Sequence, residues 1–261
     1  MNNGELVQVL SSINPISLEA IGGLKLMNRV ETKYVFSAGK LVDLINLLDD
    51  RYKVLEINNL RGLPYNTTYM DTPGCLFYNQ HVRGEVERHK IRYRKYESSG
   101  DTFLEIKKKT NKGRTVKWRI ENYPDSDSFN EPAIIFLGKH MSIDSTFVKP
   151  VLINGFTRTT LIGLESKERI TLDYNISFAE PDNKRKVLMP YLAIVELKKQ
   201  GHSHCSYLHN LLKKLNIRPT SFSKYCTGSA ILHESLKKNM IKPKILLLKK
   251  IENEYINSHS S

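Results

Sequence analysis

Lys90-Ile91-Arg92-Tyr93-Arg94, then Phe103-Leu104-Glu105-Ile106-Lys107-Lys108-Lys109, then Thr115-Val116-Lys117-Trp118-Arg119: these three runs decide how the chain folds. Successive side chains of a β-strand point to opposite faces. One face of each run is therefore Arg, Lys and Glu, and the other carries Ile91, Tyr93, Leu104, Ile106, Val116 and Trp118. Ser98-Ser99-Gly100-Asp101 and Asn111-Lys112-Gly113 lie between the runs as hairpin turns, which makes an antiparallel meander.

The pattern repeats elsewhere. Arg29-Val30-Glu31-Thr32-Lys33 alternates in the same way, and Arg158 sits within Phe156-Thr157-Arg158-Thr159-Thr160. Arg169, Thr171 and Asp173 share a face opposite Ile170, Leu172 and Tyr174, and Glu196 and Lys198 lie opposite Val195 and Leu197. Strands are predicted near 28–36, 65–71, 88–96, 102–109, 114–121, 150–160, 166–174 and 192–198. Apolar residues at helical spacing predict helices over 5–13, from Ser37 through Asp50, over 131–140, over 202–215 and over 222–236. The resulting fold class is α+β: an eight-stranded antiparallel β-barrel with flanking helices, its charged faces turned inward. An open sheet with a solvated charged face would show the same alternation.

A dry interior is ruled out for the barrel. Two cations about 4 Å apart repel by roughly 4 kcal/mol even at an effective dielectric near 20. Buried ions cost several kcal/mol each unless paired. So many basic groups against so few carboxylates require a wet interior and a strongly anionic ligand. A chain of phosphates fits, because Arg and Lys give charge-assisted hydrogen bonds to phosphate oxygens.

Composition agrees. The 261 residues suit one large domain, and 40 Lys and Arg against 27 Asp and Glu leave a formal charge of +13. Three cysteines without CxxC spacing argue against a disulfide framework or zinc site. No run approaches the roughly 20 apolar residues of a membrane span, and a soluble, cytoplasmic protein is expected. A single domain over 1–236 and a loosely held basic tail over 237–261 complete the expected layout. His202-Ser203-His204-Cys205 is a weak metal-site candidate, and His81 and His89 flank the first basic strand. Tyr93 and Trp118 fall opposite the cations, which argues against a base-stacking platform and against a specific nucleic-acid partner.

Taken in order, Leu26-Met27-Asn28-Arg29-Val30-Glu31-Thr32-Lys33-Tyr34, Lys90 to Arg94, Phe103 to Lys109, Arg169-Ile170-Thr171-Leu172-Asp173 and Ser223-Lys224-Tyr225-Cys226 resemble the VTC domain. This is the polyphosphate polymerase module of the triphosphate tunnel metalloenzyme (CYTH-like) superfamily. The resemblance implies a tunnel that binds ATP or another triphosphate, and polyphosphate, with Mn²⁺ or Mg²⁺. It implies catalytic phosphate clamping by Lys33, Arg92, Arg94, Lys107, Lys117, Arg158 and Arg169. Arg29, Lys90, Lys109, Arg119, Lys198, Ser223 and Lys224 would bind phosphate, and Glu196, with Glu31 and Glu105, would hold the metal. Related triphosphatases begin Glu-x-Glu-x-Lys, whereas Arg29 stands at the first Glu position here. That departure favours phosphoryl transfer to polyphosphate over hydrolysis. A metal-dependent triphosphatase and a non-catalytic polyphosphate or nucleotide binder are the alternatives. The absence of SPX and membrane segments resembles the stand-alone bacterial form.

Overall fold

A computed structural model describes residues 3–21, 29–124, 129–200 and 206–258. Helix α1 (Asn3–Ser11), the two-residue strand β1 (Pro15–Ile16) and α2 (Leu18–Ile21) open the chain. They are followed by β2 (Arg29–Ser37), α3 (Leu41–Asn46), β3 (Tyr52–Leu55), β4 (Leu63–Asp71) and α4 (Leu76–Val82). The meander is β5 (Arg88–Tyr96), β6 (Thr102–Lys109) and β7 (Thr115–Glu121). Next come α5 (Glu131–His140), the long hairpin β8 (Lys149–Gly163) and β9 (Glu168–Ala179), then β10 (Lys186–Met189) and β11 (Leu192–Gln200). Helices α6 (Tyr207–Lys214), α7 (Lys224–Leu232) and α8 (Lys242–Asn257) finish it.

Eight strands form one path, β2-β11-β9-β8-β4-β5-β6-β7, and every pairing along it is antiparallel. The strand count and the antiparallel order match the sequence reading. The closed barrel does not, because β2 and β7 are not paired with each other. The physical reason lies at the outer edge of β2. Pro219 bridges to Tyr34 there, and the Thr220 N–H donates to the Lys33 carbonyl at 2.7 Å. The segment before α7 thus takes the backbone groups that β7 would need.

The alternation sorts the faces as the sequence implied. Ile91, Tyr93, Leu104 and Ile106 pack outward against Phe77 and Tyr78 of α4 and Phe136 and Leu137 of α5. Trp118 also faces outward, stacked on His140 at 4.5 Å. On the other flank, Tyr34, Phe36, Leu172 and Val195 meet Leu41 and Leu44 of α3 and Leu208, Leu211 and Leu212 of α6. Each buried Leu or Phe contributes about 1.5–3 kcal/mol of transfer free energy, so the helices can hold the sheet curved with its charged side inward.

Five short elements escaped the sequence reading: β1, α2, β3, α4 and β10. The region after Lys237 also differs from the expected loose tail. It folds as α8, which lies against β2 and β11 and buries Leu248 and Ile251. Those two residues sit three apart, on one helical face, which is what seats a helix despite its lysines.

Helix α7 is seated closely. A Cβ on Gly228 would stand 2.5 Å from the Phe178 ring, so no larger residue fits that approach. Tyr225 stacks on Tyr69 at 5.0 Å, and its hydroxyl donates to Asp71, a carboxylate that also accepts the Phe77 and Tyr78 N–H groups. These contacts bring the N-terminus of α7 to the charged inner face.

Candidate functional site

Two carboxylates organise the centre of that face. Glu105, 1% exposed, accepts from Arg92 Nε at 2.7 Å and Nη2 at 2.6 Å on one oxygen, and from Lys117 on the other. Asp173, 4% exposed, accepts from Arg158 Nε at 2.6 Å and Nη2 at 2.8 Å, and from Lys224. Burial alone would raise both carboxyls. Arg92, Arg94 and Lys117 instead hold Glu105 at about 2, and Arg158 and Lys224 hold Asp173 at about 2.

The cations remain in excess. Arg94 lies beside Tyr65, 5.7 Å from the ring centroid, and its buried Nε has no hydrogen-bond partner among the described residues. Burial, followed by the neighbouring Arg92, lowers its pKa to about 10. Lys224 shares Asp173 with Arg158, so burial wins and its ammonium is held down at about 7. Lys117 shares Glu105 with Arg92 and is likewise pushed by burial to about 8.

A second acidic pair lies on β2 and β11. Glu196 sits 3.4 Å from Lys198 and 3.8 Å from Lys33, and Glu31 is within hydrogen-bonding reach of it. Burial would raise the Glu196 carboxyl, yet Lys198 and Lys33 hold it well below the usual range. Among the described residues no group of three His, Cys, Asp or Glu side chains is placed to hold a metal ion. Two adjacent carboxylates nevertheless suit Mg²⁺, which is usually held by one or two carboxylates together with substrate phosphates. Glu105 does not fit that role, because both its oxygens are committed to cations.

Toward one end of the strands the inner face opens into a cavity of about 610 Å³. Lys33, Arg88, Lys90, Lys107, Lys109 and Lys244 line it, against the single carboxylate of Glu31. Lys90 donates to Ser223 Oγ at 2.9 Å, and Ser223 caps α7 by accepting from the Cys226 N–H at 3.2 Å. His81 also lines it, with Nδ1 buried and unpartnered among the described residues. Burial, and then Lys90 and Arg88, push that imidazole down to about 3. An anion would complete the cations among these groups.

The VTC domain model matches residues 28–134 and 138–233. The chain belongs to the VTC domain family. No functionally curated protein matches it. Among solved structures it is similar in fold to a candidate adenylate cyclase from Vibrio parahaemolyticus (13% identity, TM-score 0.45, covering 77% of this chain and 97% of that one). A candidate adenylate cyclase from Bacillus halodurans gives 12%, 0.48, 77% and 98%. HpAC1 from Hippeastrum, a candidate adenylyl cyclase with a dominant triphosphatase activity, gives 12%, 0.46, 78% and 96%. No helix among the described residues is long and apolar enough to cross a membrane.

This VTC domain brings most of the expected site residues onto one surface. Lys33, Arg92, Arg94, Lys107, Lys117, Arg158, Lys198, Lys224, Glu31, Glu105 and Glu196 form a connected set of ion pairs and close charges. Arg169 stands opposite Lys198 in the β9–β11 register. Lys90, Lys109 and Ser223 line the cavity, and Arg119 lies 4.8 Å over the Phe103 ring. Arg29 begins β2, and its side chain lies outside the described residues, as do His202, His204 and Cys205.

Asp173 was seen only as a member of a charged face, and its pairing with Arg158 and Lys224 was missed. Arg88 and Lys244 were missed as cavity residues, and His81, noted only as flanking the first basic strand, lines the cavity as well. The reading of the aromatics also needs correction. Tyr93 and Trp118 do face outward, but Tyr65, Tyr96, Phe103 and Phe156 lie on the inner side, with centroids 5.0–5.7 Å apart along the chain of contacts. Phe103 shares strand parity with Glu105 and Lys107, so that signal was present in the sequence.

A pH dependence follows. An anion bound in the site stabilises protonated lysine, so binding takes up protons wherever free Lys224, at about 7, or Lys90 and Lys117, at about 8, have begun to lose theirs. Tripolyphosphate affinity is expected to fall about tenfold or more between pH 7 and 9, measured by calorimetry in buffers of differing ionisation heat. Stability of the free domain runs the other way. These folded-state values lie below the ordinary 10.5, so the unfolded chain holds more protons and this contribution to stability rises with pH between about 7 and 10.5. Affinity flat across that range would contradict the assignment.

Proposed function

We propose that this VTC domain is an ATP-dependent polyphosphate polymerase. A terminal phosphate oxygen of the growing chain attacks the γ-phosphorus of ATP. The new P–O–P bond forms as the bond to the β-phosphate oxygen breaks, and ADP leaves. The nucleophile is already anionic, so no general base is needed. Catalysis is then positioning and charge stabilisation by Arg92, Arg94, Lys107, Lys117, Arg158 and Lys224. Glu31 and Glu196 are the residues that would hold a divalent cation, Mn²⁺ or Mg²⁺, which neutralises phosphate charge when bound.

One observation carries this reading over hydrolysis. The central carboxylates are both tied to cations: Glu105 by Arg92 and Lys117, Asp173 by Arg158 and Lys224. Neither is free to orient and deprotonate water. Incubation with ATP and Mn²⁺ is expected to give long phosphate chains and ADP in step. Free phosphate with no chains would replace the polymerase reading with a triphosphatase.

A further inference from the structure

Of the run Ser223-Lys224-Tyr225-Cys226, only Ser223 and Lys224 have been given a part in phosphate binding. Yet the first three residues of this run reach three different strands. Ser223 Oγ accepts from Lys90 of β5 at 2.9 Å. Lys224 donates to Asp173 of β9. Tyr225 donates its hydroxyl to Asp71, the last residue of β4. Successive residues of a helix project about 100° apart, so the three side chains hold the start of α7 from three directions.

The third of these holds differs from the other two. Asp71 is wholly buried and accepts from neutral donors: the N–H groups of Thr72, Phe77 and Tyr78, and the Tyr225 hydroxyl. Tyr225 is 2% exposed and stacks on Tyr69, which stands opposite Arg92 in the β4–β5 register. Neither Asp71 nor Tyr225 is among the described residues that line the cationic cavity. Lys90 and Lys224, by contrast, carry their charges on flexible four-carbon stems, and each can turn from its present partner to a phosphate oxygen. The contact of Tyr225 with Asp71 is the hold that an entering anion does not compete for.

We propose that Tyr225 is a positioning residue for anion binding: its hydroxyl, held by Asp71, fixes the rotation of α7 about its axis and so places Lys224 at the inner face. The close approach of Gly228 to Phe178 sets how near α7 lies, but one contact does not set its rotation. A phenylalanine at 225 would keep the ring on Tyr69 and leave Asp71 its N–H donors, so α4 stays anchored. It would remove only the bond that opposes rotation. Lys224 then has more positions to give up when phosphate binds, and ordering it costs affinity.

This role rests on the phosphate-binding part of the proposed function, and it is tested by binding rather than by turnover. The full chain is titrated calorimetrically with inorganic tripolyphosphate as wild type, Tyr225→Phe, Lys224→Ala and the double variant. Tyr225→Phe is expected to weaken binding about tenfold where Lys224 is present and by less than about twofold where it is alanine, the scale of coupling between residues of one network. Asp71→Asn, which weakens the same contact from its other side, is expected to show the same dependence on Lys224. Leu137→Ala, a core substitution in α5 that lowers the melting temperature, controls for lost stability and is expected to leave affinity within about twofold. Thermal melts show that each variant is folded at the titration temperature. Equal losses from Tyr225→Phe with and without Lys224 would overturn the proposal, since Tyr225 would then act on the fold alone. So would unchanged affinity in Tyr225→Phe. If the dependence on Lys224 holds but the wild type makes no polyphosphate, the polymerase reading fails and the role of Tyr225 stands.

Discussion

Arg94→Met is expected to lower polyphosphate formation from ATP about a hundredfold, with the unfolding free energy unchanged or slightly raised. Removing one well-placed donor to a developing anion typically costs 10²–10³ in turnover. Arg94 is such a donor: it is 9% exposed, and its Nε has no partner among the described residues. Its net contribution to the fold is small, because burial and repulsion from Arg92 and Arg158 outweigh attraction to Glu105 and lower its pKa to about 10. Methionine keeps much of the packing against Tyr65 while removing a repelled charge. Product chains resolved on gels and urea unfolding followed by fluorescence measure the two halves. Unchanged turnover, or a stability loss of several kcal/mol, would refute the role.

Asp173→Asn should show the reverse. Breaking a buried ion pair by removing one partner costs about 3–5 kcal/mol, since the other charge is stranded. Here two cations are stranded at once, Arg158 and Lys224. The urea midpoint is expected to fall accordingly, and saturating tripolyphosphate is expected to restore much of it by supplying the missing negative charge. In the wild type the Asp173 carboxyl is held at about 2 against an ordinary 3.8. Its contribution is therefore complete above the ordinary value and lost as pH falls through about 2. A variant that unfolds at the wild-type midpoint would mean that Asp173 does not anchor this pair.

These two residues also show what a sequence can carry. Arg94 was legible from parity alone, because Lys90, Arg92 and Arg94 must share a face of β5 whatever else the chain does. The face of Asp173 was legible in the same way. Its partners were not, since Lys224 arrives from a helix 51 residues away, and periodicity says nothing about where a helix end lands. The open edge between β2 and β7 was equally hidden. Alternation gives each strand its two faces but is silent on which backbone groups a neighbouring loop will claim. In α8, the lysines at 242, 244, 249 and 250 drew attention away from Leu248 and Ile251, which anchor it. The short β3 and β10 lie within longer connections, with too few residues to establish a period. The ordered motifs of the family, by contrast, were legible nearly in full, because phosphate chemistry fixes residue types more tightly than packing does.

That β2 and β7 do not pair with each other has a mechanical consequence. In a closed barrel, strand number and stagger fix the bore. Where Pro219 and Thr220 occupy the seam instead, no ring of hydrogen bonds sets the distance between the wall carrying Lys107 and the wall carrying Glu31 and Glu196. The helices packed outside the sheet and the attraction between those opposed charges set it together. An anion that enters between those walls therefore acts on one of the two contributions that hold them in place, and the seam carries no backbone ladder to resist it.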